Sequence, residues 1–150
     1  MHREWHKDGF TVTTDPARFD VAAIHDFLRG SYWAEGIPRE VVERAIQGSL
    51  CFGLLENGGQ VGLARVVTDR ATFAYLADVY VLESRRGRGL ARWLMDCVVS
   101  HPDLQGLRRW SLVTRDAHNL YRKFGFGALA RPDRHMEIVD SDIYQRLPGA

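Results

Sequence analysis

The residue pattern with the clearest chemical meaning is a glycine- and arginine-rich run, Arg86-Gly87-Arg88-Gly89-Leu90-Ala91. A strand-like segment, Phe73 to Val81, precedes the run, and a helical pattern follows it. Glycine has no β-carbon, so its backbone can approach a ligand closely, and the first turn of a helix offers unpaired N–H groups to an anion. The run therefore predicts an anion-binding loop of a size that suits a pyrophosphate.

Two other phosphate-binding motifs do not fit this run. The chain lacks the G-x-x-x-x-G-K-[ST] pattern of a P-loop. Gly87 and Gly89 fit the first two positions of the dinucleotide fingerprint G-x-G-x-x-G, but Arg92 stands where the third glycine would allow close helix packing. The remaining alternative is a helix-initiating turn whose arginines serve solubility.

Two motifs together resemble those of a known family. Arg86, Gly89 and Ala91 fill the pattern [QR]-x-x-G-x-[GA], which resembles the acyl-CoA pyrophosphate loop of the GNAT N-acetyltransferase superfamily. Further along, the segment from Tyr121 to Phe126 is similar to the family's Y-x-K-x-G-F signature. Because both motifs occur in the family's order, the chain is identified as a member, and acetyl-CoA is the implied co-substrate.

The resemblance also implies which residues bind the donor. Backbone groups of the fourth strand are expected to bind the acyl carbonyl and pantetheine, and the loop is expected to bind the pyrophosphate. The residues concerned are Val79, Tyr80, Val81, Arg86, Gly87, Arg88, Gly89, Leu90, Ala91 and Arg92. Where many relatives carry an asparagine that contacts CoA, this chain has Thr114, so that contact is not assigned. Asp116 is expected to cap the helix that follows.

Tyr121 matches the family's general acid. A phenol with a pKa of about 10 can donate a proton to the CoA thiolate as it departs. The alternative for Tyr121 is packing against Phe124 and Phe126 on an amphipathic helix.

Asp78, in the fourth strand, is the candidate general base. Its carboxylate could take a proton from the amine, directly or through water, or bind the ammonium form. The alternative is a hydrogen bond to a neighbouring residue, and the rival bases are Glu35, Asp116 and His118.

The acceptor site is expected under the connection between the first two helices, where the resemblance places the roof of that site. Tyr32, Trp33 and Glu35 lie in this connection. Aromatic faces and a carboxylate suit a small cationic amine. The alternative for the two aromatic residues is packing on the sheet.

Composition favours a globular protein with a single domain over residues 1–150. Hydrophobic residues make up 45% of the chain and charged residues 26%. The formal net charge of +1 gives no overall field that would attract nucleic acid or an anionic membrane, so neither is expected as a partner. No apolar run approaches the roughly 20 residues of a membrane span, and the N-terminus lacks a signal-peptide core, so we expect a cytoplasmic protein.

The cysteines and the N-terminal histidines are not expected to do chemistry. Cys51 and Cys97 form no disulfide framework, and a thiol buried in the core carries little thiolate, so core packing is favoured over an acyl-carrying nucleophile. His2 and His6 have metal-compatible spacing, but no third ligand completes a site. We therefore expect no metal, and a frayed N-terminus.

The periodicity predicts one α/β unit in the order β-α-α-β-β-β-α-β-α-β, which is that of the GNAT fold. The resemblance implies the three-layer α/β (α+β) form of that fold, with a central mixed, mostly antiparallel sheet and helices on both faces. The resemblance implies that the fourth and fifth strands splay apart to admit the pantetheine arm. The expected strands are Phe10–Thr13, Leu50–Leu55, Val61–Thr68, Phe73–Val81, Trp110–Thr114 and Met136–Val139. A hairpin turn in which Asn57 and Gly58 accept positive φ is expected between the second and third of these strands. The expected helices begin near Asp15-Pro16 or Asp20, near Pro38, near Leu90 and near Asp116, and they end near Gly30, Gly48, Ser100 and Phe124.

These expectations favour an N-acetyltransferase that moves an acetyl group from acetyl-CoA to a primary amine of a small molecule, by direct attack in a ternary complex. The alternatives are a CoA-binding sensor without catalysis, a protein N-acetyltransferase, and a structural partner domain with a vestigial loop. Relatives often form homodimers through their C-terminal strands. The tail from Asp140 to Ala150 has two open placements, on the domain itself or on a partner chain.

Overall fold

The computed structural model describes residues 1–148, and a six-stranded sheet forms its centre. The strands lie in chain order: β1 Glu4–Lys7, β2 Phe10–Thr13, β3 Leu50–Glu56, β4 Gly59–Thr68, β5 Phe73–Val81 and β6 Arg109–Leu112. The first five strands pair antiparallel, and β6 pairs parallel to β5. The predicted mixed, mostly antiparallel sheet is therefore confirmed.

Helices cover both faces of the sheet, as predicted. They are α1 Val21–Leu28, α2 Arg39–Gln47, α3 Leu90–Ser100, α4 His118–Arg122 and the short α5 Ile143–Arg146. A first buried cluster lies under α3 and α4, with Phe52, Leu54, Leu94, Met95 and Tyr121 among its members. A second cluster lies under α1 and α2, with Ile24, Leu28, Val42, Leu63 and Tyr80 among its members.

Local sequence signals place most of these elements. Asp20 caps α1, because its Oδ1 accepts a hydrogen bond from the Ala23 amide at 3.0 Å. Pro38 and Gly48 flank α2. Asn57 and Gly58 take positive φ values of 50° and 81° in the turn between β3 and β4, as the predicted hairpin requires.

A β-bulge in β5 changes which face its side chains meet. Arg65 pairs with Asp78 while the next residue, Val66, pairs with Leu76, so Ala77 is an extra residue on β5. Leu76 therefore packs in the cluster under α3, whereas the side chain of Asp78 bonds to the connection between α1 and α2. Strict alternation would have placed both side chains on one face.

The partnership of β5 with β6 ends halfway along β5. The two strands pair only from Phe73 to Leu76 on β5, and β6 ends at Leu112. The backbone from Ala77 to Val81 therefore has no strand partner on this side within the described residues. This open edge is where the resemblance implied a splay.

Three expectations about local structure were wrong. The predicted strand Met136–Val139 is irregular and exposed, because a strand needs an edge to pair with and these residues pair with none of the described strands. The N-terminus is not frayed: it forms β1, joined to β2 by Asp8 and Gly9 at positive φ, with Trp5 packed on Phe52.

Asp116 does not cap α4. The helix begins at His118, and the Thr114 Oγ1 atom accepts a hydrogen bond from the Ala117 amide at 3.0 Å instead. Thr114 rather than Asp116 bonds at the start of α4, because Ala117, whose amide the threonine hydroxyl accepts from, is the residue before the helix. The Asp116 Oδ2 atom lies 3.7 Å from the Arg115 Nη2 atom instead.

The tail packs on the domain over the part that the structure describes. Tyr144 contributes to the cluster under α1 and α2 and lies beside Gly36. Residues 149 and 150, which end the tail, lie outside the described residues. No helix within residues 1–148 is both long enough and apolar enough to cross a membrane.

His101, at the end of α3, is buried against the Phe52 ring, with ring centroids 5.6 Å apart. Its Nδ1 accepts a hydrogen bond from the Asp103 amide at 3.0 Å. Burial lowers the pKa of His101; the charge of Asp103 opposes this shift, and the charges of Arg70 and Arg3 add to it, so the pKa is lowered overall. The folded protein therefore holds His101 in its neutral form more strongly than the unfolded chain does.

Acid should reduce stability through His101. The unfolded imidazole has a pKa of about 6.5, so the unfolded state binds the proton first and the stability present above that pH is lost as pH falls. We expect His101→Asn, which keeps an acceptor for the Asp103 amide, to flatten the decline in Tm between about pH 7.5 and 5.5. His135→Asn, at an exposed position, should keep the wild-type slope. Equal slopes for His101→Asn and the wild type would contradict this account.

Candidate active site

The glycine-rich loop leaves its backbone open to a ligand. Gly87 and Gly89 have φ values of 81° and 73°, and a Cβ built on either would meet no atom within 4 Å. Gly89 precedes α3 without a side-chain cap, and the first helical hydrogen bond runs from the Trp93 amide to the Gly89 carbonyl at 3.0 Å. The amides of the first turn, Leu90 to Arg92, therefore have no helical partner and suit an anion.

The arginines around the loop divide into two kinds. Arg85 pairs with Glu56, with Nε and Oε1 2.7 Å apart, and the Arg86 Nε donates to the Val81 carbonyl at 3.0 Å. Both therefore fasten the loop to the sheet. Arg88 and Arg92 are exposed and form no ion pair with any residue from 1 to 148. These two cations are available to a phosphate.

A cavity of about 240 Å³ brings the loop and α4 together. Its lining contains Val81, Arg85, Arg86, Gly87, Gly89, Leu90, Ala91, Arg92 and Leu120. Most of the residues predicted to bind the donor thus line one cavity. Val79, Tyr80 and Arg88 lie outside this lining, and the Tyr80 ring stacks on Phe27 at 3.8 Å between centroids.

Tyr121 lies in α4 with only 8% of its side chain exposed. Its ring packs against Phe126, with centroids 6.0 Å apart. Burial is the main cause that raises the pKa of Tyr121 to about 12, and the nearby Tyr32 and Asp116 contribute to the same shift. The phenol therefore keeps its proton at neutral pH and can act as a donor.

The connection between α1 and α2 reaches across to the loop before α4. The Arg115 amide donates to the Tyr32 hydroxyl at 3.0 Å, and the Arg115 guanidinium carbon lies 3.9 Å from the centre of the Tyr32 ring. Tyr32 and Trp33 contact each other edge to face, with centroids 5.1 Å apart. Glu35 is exposed. Sequence reasoning missed Arg115, and no local signal connects it to a residue 83 positions earlier.

Asp78 is buried, and each of its carboxylate oxygens accepts a hydrogen bond. The Trp33 Nε1 donates to its Oδ1, and the Arg65 Nε donates to its Oδ2, each at 2.7 Å. Arg65 was also missed, although a charged residue inside the apolar run from Val61 to Thr68 is a signal of a buried partner. The structure thus brings Asp78 and Trp33 together on the side of the sheet that carries α1 and α2.

Comparison with known proteins agrees with this geometry. Residues 47–127 match the family model of the GNAT acetyltransferase domain. A Xanthomonas campestris protein, provisionally named a GNAT-family acetyltransferase, is 48% identical with a TM-score of 0.89, over 93% of this chain and 99% of that chain. A provisionally named acetyltransferase from Gibberella zeae is 35% identical over 144 residues, which cover 81% of this chain and 80% of that protein.

A more distant structure shows the same fold with a ligand. The GNAT-family acetyltransferase of Elizabethkingia anophelis, with acetyl-CoA bound, has a TM-score of 0.63 at 16% identity, over 89% of this chain and 90% of that one. The chain belongs to the GNAT family of acetyltransferases, which are acyltransferases that use acetyl-CoA. The identification made from two short motifs is confirmed.

Gly89→Val should weaken acetyl-CoA binding by at least about 10-fold, because the side chain would stand over amides that form charge-assisted hydrogen bonds. Calorimetric titration with acetyl-CoA measures the effect. Gly106→Val is the matched control, since Gly106 also has a positive φ, 70°, and open space around it, but lies beyond the far end of α3. Unchanged affinity in folded Gly89→Val would contradict the loop assignment.

Proposed function

We propose that residues 1–150 form a single N-acetyltransferase domain that transfers acetyl from acetyl-CoA to a primary amine of a small molecule. The observation that carries the proposal is the open edge of β5, from Ala77 to Val81, because it runs from the acceptor side of the sheet to the glycine-rich loop. A donor bound at the loop can extend along this edge toward Tyr121. Donor and acceptor then meet at the sheet opening.

The donor half is proposed to bind through backbone groups. Amides from Gly87 to Arg92 would hold the pyrophosphate, and Arg88 and Arg92 would add charge. The open edge at Val79, Tyr80 and Val81 would bind pantetheine and the acyl carbonyl, so the side chains of these three residues are free to pack in the core. An amide there would stabilise the charge that develops on the carbonyl oxygen.

The transfer itself is proposed to be direct. The amine nitrogen forms a bond to the acetyl carbon, the carbon–sulfur bond breaks, and Tyr121 gives its proton to the departing sulfur. The proton that the amine releases then returns through water to the Tyr121 phenolate, which restores the acid. Cys51 and Cys97 are poor candidates for an acyl carrier, because burial raises the pKa of each thiol to about 12.

The acceptor is proposed to bind between Tyr32, Trp33 and the sheet, with Glu35 near the entrance. Tyr32 is 45% exposed and Trp33 38%, so both offer aromatic surface to a ligand. A small amine with a cationic or apolar body fits such walls.

A screen of primary amines tests the proposed function. The purified protein is mixed with acetyl-CoA and each amine, and the released CoA thiol is measured while mass spectrometry identifies the product. We expect thiol release above the amine-free rate, with an acetylated amine, for at least one small molecule. Stoichiometric acetyl-CoA binding without release for any amine would support a sensor instead, and release only with protein substrates would support a protein acceptor.

Tyr121→Phe should lower kcat by at least about 10²-fold, the contribution of a positioned general acid, while the Kd of acetyl-CoA stays within about twofold. Since the pKa of Tyr121 is about 12, wild-type kcat should show no loss from phenol ionisation near pH 10. Tyr75→Phe, in the first half of β5, is the control. A kcat equal to that of the wild type would remove Tyr121 from the mechanism.

We also propose that the protein forms a homodimer through its C-terminal arm, residues 127–143. Every residue of the arm is exposed, and Met136 and Ile138 are 97% and 104% exposed. The outer edge of β6 pairs with no strand of the described chain, and a cavity of about 380 Å³ lies beside it, lined by both apolar and polar residues, with Tyr121 at its inner wall. Its lining includes Trp110, Leu112, Phe126 and Leu129. Pairing of residues 136–139 with β6 of a second copy would bury both surfaces.

Ile138→Asp should shift the protein toward monomer, because burying an isoleucine contributes roughly 1.5–3 kcal/mol and a buried carboxylate opposes association. Light scattering over a range of concentrations measures the shift. Glu137→Asp, at the adjacent position of the arm, is the control. A wild type that is monomeric at all concentrations would contradict the dimer.

A further inference from the structure

We propose that Asp78 is a positioning residue, which with Arg65 fixes the Trp33 indole as a wall of the acceptor site, rather than the base that takes the amine proton. The inference rests on the proposed N-acetyltransferase function. It differs from the sequence expectation because the geometry gives both carboxylate oxygens a donor already.

Each oxygen of the Asp78 carboxylate already accepts a hydrogen bond. The Arg65 Nε and the Trp33 Nε1 both approach within 2.7 Å, and the Asp78 side chain is 8% exposed. Arg65 is itself held by the Ser49 hydroxyl at 3.0 Å and stands directly across from Asp78 in the sheet. Protonation of Asp78 would leave a largely buried guanidinium without its counter-charge, which is costly.

One further charge lies near this group of residues, that of the Asp20 carboxylate, which also acts on the Tyr80 phenol. The Cys51 thiol and the Tyr80 phenol are the titratable side chains that sense Asp78, and burial raises the pKa of both. Both therefore stay neutral in an ordinary assay range. Arg65 and Asp78 form a closed ion pair in which the charge of one offsets that of the other.

Trp33 connects this ion pair to the acceptor side of the sheet. Its indole N–H donates to Asp78, so one charge-assisted hydrogen bond fixes the direction of the N–H edge of the ring. The ring is further held between Tyr32 and Phe27, at centroid distances of 5.1 and 6.3 Å. The part of Trp33 that stays exposed then presents a rigid aromatic surface.

The first test follows Trp33 in the ligand-free protein, where catalysis is not needed. Proton exchange at the indole nitrogen is measured by NMR in the wild type, Asp78→Leu and Asp78→Asn. We expect protection in the wild type, loss of protection in Asp78→Leu, and partial protection in Asp78→Asn, whose amide oxygen can still accept. Equal protection in all three would overturn the positioning role, whether or not an amine substrate has been found.

The second test separates positioning from base catalysis with the acceptor identified in the screen. Trp33→Phe removes the indole N–H and leaves the ion pair intact. It should raise the acceptor KM by about 3- to 10-fold, as for the loss of one hydrogen bond, with little change in kcat or in acetyl-CoA affinity. Trp5→Phe, on β1, is the control and should behave as the wild type.

The pH profile of kcat/KM distinguishes a base at Asp78 from a positioning residue. A base at Asp78 predicts that Asp78→Asn loses about 10²- to 10⁴-fold in kcat and loses the acidic limb of kcat/KM. Positioning predicts that the acidic limb is retained and that the effects of Asp78→Asn and Trp33→Phe on KM are non-additive. Loss of the limb in Asp78→Asn, or an unchanged KM in Trp33→Phe, would overturn the proposal. An inactive wild type would instead contradict the proposed function.

Discussion

The arrangement of the site depends on one extra residue in the sheet, Ala77. Because the bulge at Ala77 shifts the register of β5, its first half packs under α3 while Asp78 turns toward α1 and α2. The same strand can therefore serve the donor loop at its end and the acceptor side at its middle. Without the bulge, Asp78 would point into the apolar cluster under α3, where its charge would have no partner.

A second constraint is the early end of pairing between β5 and β6. Parallel neighbours that part after four residue pairs leave backbone donors and acceptors without partners. Buried backbone groups of this kind are costly unless something else bonds to them. A ligand bound along the edge, as proposed for the donor, would satisfy them, and this links the architecture to the family's use of acetyl-CoA. The contact between Tyr32 and Arg115 bridges the two sides of the opening.

The sequence predicted those elements whose signals are local. The cap at Asp20, the Asn57-Gly58 turn and the glycines before α3 each act within a few residues, and all were found. The turn signal at Asp8-Gly9 was present in the sequence and would have predicted β1. The alternation in Met136–Val139 predicted a strand, but pairing depends on a distant edge that no local pattern specifies.

The same difference between local and long-range signals applies to the candidate site. The donor loop and Tyr121 follow from motifs, whereas the ion pair of Asp78 with Arg65 depends on cross-strand register and a bulge. The contact of Arg115 with Tyr32 joins residues 83 positions apart. Electrostatic partners that meet only in the folded sheet are not readable from spacing along the chain, so the acceptor side needed the structure.

In the proposed direct transfer, donor and acceptor occupy the sheet opening together, and no residue of the chain carries the acetyl group. Initial rates measured while acetyl-CoA and the amine are both varied test this directly. The account predicts double-reciprocal lines that intersect, with no acetylated protein after incubation with acetyl-CoA alone. Parallel lines, together with an acetyl group trapped on the protein, would contradict it.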